Sequence, residues 1–342
     1  MGVTQSDIAK AANVSRSAVA LALNGIGRQN IQTRDRILKI ADEMGYRPNM
    51  LVRGIRTGKT KTIGVLMNCG EGFFGRVCAG IQYYLWQYEY VPIIVPNSNE
   101  DGIVDLVHSL VDRRVEGCII HPDNPESMDK LDNVYVSEIG SRDIPMVVVD
   151  NQFHEDCFAD FCGTDDFKAG CLAAEHLISL GHKNLAWLYA DDSSDGSLAN
   201  CFSLRREGFK SVVDKKASVR LTDIDLLEDG GPVENIINIL DRPERPSAIA
   251  VGNDNYVVDV YRSVEKLGLV IPEDVSVVGF GDHEFLKYIS PAITTVNEHP
   301  YQIGCDAAKM LLDRINNTVK SRKNLIVRRQ PELIDRQSTA KV

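Results

Sequence analysis

The sequence predicts a small all-α headpiece joined to an α/β body of two doubly wound lobes, and three observations carry that prediction. Two short helical signals joined by a tight break fill residues 4–25. From Thr62 onward, short β-branched runs alternate with stretches of helical period. That alternation occurs twice, in two series of similar size, within a chain of 342 residues that has room for two or three domains.

The first stretch reads TQSDIAKAANVSRSAVALALNG. Thr4 caps a first helix, Asp7 suits its positive end, and Ile8, Ala9 and Ala12 form its apolar face. Asn13-Val14 breaks the pattern, Asn tolerating the left-handed geometry of a turn. Ser15 caps a second helix whose Val19 and Leu23 share a face, and Asn24-Gly25 stops it. This spacing is that of a helix-turn-helix, although an ordinary helical hairpin fits the same stretch. Arg16, Ser17 and Ala20 face outward near the start of the second helix, where a recognition helix meets base edges. Thr33 caps a third helix over 34–44 that buries Ile37, Leu38 and Ala41. Pro48 then blocks continuation, and Asn49 caps residues 50–56. A helix of about two turns is too short to stand alone in water, so this stretch is expected to order only when something packs on it.

In the body, TIGVLM is a strand, residues 73–88 a helix, VPIIVPN a strand, Ile103–Arg113 a helix, and CIIHP and PMVVVDN strands. The second series runs Asp166–Leu180 helix, NLAWLYA strand, Leu204–Val213 helix and a weak strand at Val219–Leu221. It continues through a Val233–Leu240 helix, the strand AIAVGN, a Val257–Leu267 helix and the strand VSVVGF. Two such lobes leave a cleft between their strand ends.

The net charge of −10 is divided unequally. Residues 1–60 carry ten Lys/Arg against four acids, a balance of +6 that leaves −16 for the remainder, and a basic head on an acidic body suits phosphate contact by the head alone. No apolar run reaches the ~20 residues of a membrane span, and nothing suggests export, so the expected compartment is the cytoplasm. The eight cysteines contain no CxxC pair and read as reduced thiols, with neither a disulfide framework nor a metal site. GIRTGKT falls one residue short of a phosphate loop and precedes its strand instead of following it. GxSxG, HExxH and GxGxxG are absent, and His154, His176, His182, His283 and His299 show no ligand spacing. No catalytic residue, metal or cofactor is expected, and an enzyme reading fails for want of a site.

The headpiece followed by YRPN, then TGKTKTIGVL, FFGRVCAGI, IPMVVVDN, AAEHLISLGHKN, LRREGF, AIAVGNDN, IPEDVSVVGFGD and ITTV, resembles the lactose-repressor (LacI/GalR) family of bacterial transcription regulators from Thr4 to Arg336. The resemblance implies a body like periplasmic sugar-binding proteins, crossed three times by the chain, and a homodimer on pseudo-palindromic double-stranded operator DNA. No heptad helix follows the C-terminal stretch, which favours a dimer over a tetramer. The domains it implies are a headpiece over 1–48, a hinge helix and linker over 49–60, a first lobe over 61–161 plus 294–325, a second lobe over 162–293 plus 326–336, and a tail over 337–342. It places Arg16, Ser17 and Leu21 at base-reading positions, with Ser15 and Asn24 at the ends of the same helix. Ile55 falls where the family wedges a Leu into the central minor-groove step, with packing between two hinge helices as the alternative, and Val52 falls where it has a small Ala. Lys10, Arg47, Arg53 and Lys59 suit phosphate contacts, and a solvated basic face explains them equally. Asp150, Arg205, Asn253 and Asp254 match positions facing the effector cleft; Phe73 and Phe74 would cover an apolar ligand face, although Phe at a helix start is as often core. Their chemistry suits a carbohydrate or other polyol. Gly281 departs from the family's usual acid. The function expected is a ligand-responsive regulator, most simply a repressor; a sugar receptor with no regulatory role is the alternative.

Overall fold

A computed structural model describes residues 3–25, 30–47, 54, 59–70, 72–96, 102–122, 129–131, 133, 144–150, 159–190, 201–227, 229–318 and 323–342. Two compact units, residues 1–60 and 61–342, divide it.

In the first unit, α1 (Gln5–Ala11), α2 (Arg16–Asn24) and α3 (Ile31–Glu43) close around Ile8, Val19, Ala22, Ile37 and Ala41. Thr4 and Asp7 form a reciprocal capping box, the Asp7 amide donating to Thr4 Oγ1 at 3.3 Å and the Thr4 amide to Asp7 Oδ2 at 2.9 Å. Asn13 takes φ 51° in the turn, and Gly25 ends α2 in the left-handed region at φ 68°. Two expectations are corrected. Asn30 caps α3 instead of Thr33, its side chain accepting from the Gln32 amide at 3.0 Å, which starts the helix three residues early. Leu38 is exposed, and Ile40 packs against the core on the face that Ile37 and Ala41 define. Residues 48–53 and 55–58, with the expected hinge and its Val52 and Ile55, lie outside the described residues.

Among the described residues, the second unit holds two six-stranded sheets. The first contains β1 (Thr62–Leu66), β2 (Val91–Val95), β3 (Cys118–Ile120), β4 (Met146–Val149) and β5 (Asp160–Thr164), in the order β5-β4-β3-β1-β2, all parallel. Pro92 is tolerated because β2 is an edge strand. Helices α4 (Phe73–Gln87) and α5 (Ile103–Asp112) cover this sheet. The second sheet has β6 (Asn184–Tyr189), β7 (Arg220–Asp225), β8 (Ala248–Val251), β9 (Ser276–Phe280) and β10 (Thr294–Asn297), ordered β10-β9-β8-β6-β7. Its helices are α6 (Asp166–Ser179), α7 (Cys201–Val213), α8 (Pro232–Leu240) and α9 (Val257–Lys266). The chain then returns to the first sheet through α10 (Pro300–Ile315), which packs beside α4, and β11 (Ile326–Arg329), parallel to β5. It crosses once more to β12 (Glu332–Ile334), antiparallel to β10.

These pairings correct the lobe boundaries. Thr294–Val296 pairs with Val278–Phe280, so β10 belongs to the second lobe, and Ile326–Arg329 pairs with Phe161–Thr164, so β11 belongs to the first. Residues 337–342 are stitched into the second lobe, where the Val277 amide donates to the Ser338 carbonyl at 2.7 Å and the Val342 amide to the Leu180 carbonyl at 3.0 Å. The cysteine expectation is also overturned: Cys69 and Cys78 form a disulfide, because the loop after β1 folds back on the second turn of α4. Cys118, Cys162, Cys171, Cys201 and Cys305 are free thiols. Among the described residues, no helix is long and apolar enough to cross a membrane.

Candidate effector cleft and DNA-reading helix

On the first unit, α2 presents Ser15, Arg16, Ser17 and Leu21 to solvent while Val19 and Ala22 hold its inner face. Ser15 serves as the cap, accepting from the Ala18 amide at 3.1 Å, so Arg16 and Ser17 occupy the first turn of a fixed helix end. Arg36 Nη2 donates to the Ala12 carbonyl at 3.0 Å and ties α3 to the end of α1. Asn24 closes α2, with its side chain outside the described set. Lys10 and Arg47 are exposed. Beside the capping Ser15 hydroxyl, the exposed face offers the Arg16 guanidinium, the Ser17 hydroxyl and the apolar Leu21 side chain.

In the second unit, both lobes line a cleft of about 240 Å³. Phe73 and Phe74, at the start of α4, enter it with ring centroids 5.2 Å apart, and Phe74 packs on His121 at 4.2 Å. Asp150 follows β4 at φ 59°, a conformation Asp accepts more readily than most residues, and lines the cleft. Asn253 lies two residues past β8 and caps a short 3-10 turn, its side chain accepting from the Asn255 amide at 3.0 Å. Asp254 corrects an expectation. It is fully buried behind the cleft wall, where the Thr295 hydroxyl donates to its Oδ2 at 3.3 Å. Burial pushes its carboxyl up to about 6. Asn255 lines the cleft in its place.

Arg205 is the centre of the site. Gly170 on α6 and Gly208 on α7 let the two helices touch backbone to backbone: a Cβ on Gly170 would lie 1.8 Å from the Arg205 carbonyl oxygen. That approach brings Arg205 Nε to Asp166 Oδ1 at 2.9 Å. Nη1 donates to the Gly252 carbonyl at 3.2 Å, and Nη2 to Glu298 Oε1. The rings of Phe202 and Phe280 flank the guanidinium carbon at 5.3 and 5.6 Å. Burial raises Glu298 above the usual carboxylate range; the pull of Arg205 opposes this, and repulsion from Asp166, Asp150 and Asp254 adds to it. Burial likewise pulls His121 down to about 4, so its imidazole is neutral near pH 7.

Sequence reasoning did not find Glu298, Asp166, His121, His283, Cys201 or Phe202. Phe202 lies three residues before Arg205 on α7, a helical spacing that signals a shared face. Glu298 follows a strand that the pattern did not reveal.

Gly281 has a local explanation. It adopts φ +124°, and a Cβ there would meet the His283 ring at 3.2 Å. Gly281→Asp is expected to lower body stability by about 1–3 kcal/mol, measured by urea unfolding; an unchanged midpoint contradicts this account of the position. Asp282 is held by Arg336 Nη2 at 2.5 Å and by Asn297 Nδ2 at 3.2 Å, which makes it a structural group.

Comparison with known proteins settles what this arrangement belongs to. Residues 4–49 match the family of bacterial regulatory proteins of the lacI type, and residues 174–339 match the periplasmic binding protein-like domain. The chain belongs to the LacI family. This LacI-family chain is 28% identical over 355 residues to the HTH-type transcriptional repressor PurR of Vibrio vulnificus, covering 99% of both. It is 27% identical over 342 residues to the ribose operon repressor of Haemophilus influenzae, covering 98% of both. The lac repressor dimer bound to operator and an anti-inducer shares its fold, with a TM-score of 0.81 at 21% identity, covering 99% of this chain and 100% of that one. A LacI-family regulator from Enterococcus faecium with bound ribose gives a TM-score of 0.67 at 29% identity, covering 82% of this chain and 99% of that one. The LacI-family chain is a DNA-binding regulator of transcription, not an enzyme.

Proposed function

We propose that this regulator is a cytoplasmic homodimeric repressor of a pseudo-palindromic operator, controlled by an uncharged sugar held between the lobes of its body. The observation that carries the ligand class is the clasp on Arg205. Its guanidinium is already engaged by two carboxylates and a carbonyl. Asp150 and Glu298 share the cleft wall with it. An anionic ligand meets more carboxylate than cation there, whereas a polyol supplies the hydroxyl donors that carboxylates and Asn side chains accept. Phe73, Phe74, Phe202 and Phe280 offer aromatic faces to the apolar side of such a ring. The ribose-bound relative and the ribose operon repressor support the same class. Ser15, Arg16, Ser17, Leu21 and Asn24 are proposed as the base-reading set, with Val52 and Ile55 at the minor groove. Asp150, Arg205, Asn253, Phe73 and Phe74 are proposed as ligand contacts.

A second copy of the chain is supported by aromatic surface on the first lobe. Tyr83 (57% exposed) and Trp86 (74%) project from α4, and Tyr301 on α10 lies 5.9 Å from Tyr83, ring to ring. Exposed apolar area of this kind marks interaction surfaces.

A thermal-shift panel tests the ligand class. One neutral pentose, hexose or disaccharide is expected to raise the melting midpoint, since a ligand at ~100 times its Kd adds roughly 2.7 kcal/mol. The matching uronates and sugar phosphates are expected to leave the midpoint unmoved. Stabilisation by an anionic sugar with none by its neutral parent overturns the reading.

A further inference from the structure

The disulfide between Cys69 and Cys78 closes the segment through which the first lobe touches both the cleft and the second lobe. Four contacts within that segment point the same way. Phe73 and Phe74 line the cleft. Arg76 Nη1 donates to the Asp282 carbonyl at 3.1 Å, and its Nη2 donates to the Gly281 carbonyl, both on the second lobe. Gly72 sits against the His283 ring, which a Cβ would approach to 3.3 Å. The loop itself folds onto the first turn of α4, where a Cβ on Gly75 would lie 2.2 Å from the Gly70 carbonyl oxygen. The crosslink therefore ties the loop to the helix end that carries the cleft-facing rings and the interlobe guanidinium.

Cys118, Cys162, Cys171 and Cys201 are buried, and the half-buried Cys305 rests its sulfur against the Gly80 carbonyl, with burial raising its thiol. Cys118 is buried, which pushes its thiol up to about 12, and burial also raises Cys162 and Cys201. Cys69 is half-buried, whereas Cys78 is covered. In the cytoplasm, the compartment proposed above, disulfides are usually transient, catalytic or sensing.

We propose that Cys69 and Cys78 form a reversible exchange site for low-molecular-weight thiols and disulfides of the glutathione class, and that its redox state sets how firmly the start of α4 engages the second lobe. In oxidation, the Cys69 thiolate attacks the small disulfide, releasing one small thiol and leaving a mixed disulfide. The Cys78 thiolate then attacks the Cys69 sulfur and releases the second small thiol. The two protein thiols lose two electrons and two protons in total, and the small disulfide gains them. Reduction is the reverse, with an incoming thiolate attacking the half-buried Cys69 sulfur. Opening the bond restores conformational freedom to the loop, and the Arg76 contact then has to order it again.

The test uses the full-length protein without effector, equilibrated in glutathione buffers of different redox ratio, with free thiols trapped by alkylation and backbone hydrogen exchange followed by mass spectrometry. Oxidising buffers are expected to protect Cys69 and Cys78 from alkylation, reversibly. Reduction is expected to speed exchange roughly tenfold at 72–78 and also at 279–283 across the cleft. The Cys69→Ser/Cys78→Ser variant is expected to stay at the reduced level in every buffer. Were that variant to misfold, the wild-type comparison alone decides. Full alkylation of both cysteines after oxidation, or identical exchange at 279–283 in both redox states, overturns the proposal. The coupling rests on the cleft being the effector site; the thiol and exchange readouts need no effector, so their failure is distinct from failure of the sugar panel.

Discussion

Arg205→Ala is expected to abolish the effector response and to remove about 3–5 kcal/mol from the stability of the body. The guanidinium is buried and fixes Asp166, Glu298 and the Gly252 carbonyl at once. Its removal leaves two carboxylates in a closed wall without their cation, and burial already disfavours their charged forms. Urea unfolding reads the stability loss, and a sugar titration reads the lost response. Adding Glu298→Gln to the alanine variant is expected to recover part of the stability, because one uncompensated carboxylate is gone, but no sugar binding. A single variant with wild-type stability would show that the clasp is not the structural centre of the cleft.

Arg16→Ala is expected to weaken operator binding by roughly 1–3 kcal/mol and to flatten discrimination at one base pair of each half-site, as loss of a bidentate guanine contact does. The side chain is exposed in the first turn of α2, and the Ser15 cap and the Val19 and Ala22 packing hold that turn without it. Fluorescence anisotropy on operator and single-base variants separates this outcome from a phosphate contact, whose loss weakens every sequence alike and lowers the salt slope by about one. Equal weakening on all sequences would remove Arg16 from the base-reading set.

How much of this was legible in the sequence depends on whether local pattern or distant partners decide a residue's place. The helix-turn-helix was legible because its caps are local: Thr4, Ser15 and Gly25 each act within a few residues. The buried strands β1, β6, β8 and β9 were legible as apolar runs. β5, reading DFCGT, and β10, reading TTVN, were not, because Asp160 is paired by Arg314 and the buried Thr294 and Thr295 by neighbours far along the chain. α10 also went unread, although its apolar face matches α4. In the cleft, Arg205, Asp150 and Asn253 were found by resemblance and stand on the wall. Asp254 was misplaced by one residue, since its burial depends on Thr295 and on the absence of a side chain at Gly279. Glu298 and Asp166 are separated from Arg205 by 93 and 39 residues, distances over which only the folded lobes bring them together. The Cys69–Cys78 pair, nine apart, has no spacing that singles it out.

The central claim is that a headpiece reading specific DNA is governed by a neutral ligand in the body. Selection of bound duplexes from a randomised pool by the full-length protein, repeated with and without each sugar that raises its melting midpoint, tests this most directly. The account predicts enrichment of one two-fold-related sequence, with steep loss of binding as salt rises, and a change in its retention when the stabilising sugar is present. A pool left unenriched, or an enriched sequence whose retention no stabilising sugar alters, would contradict it.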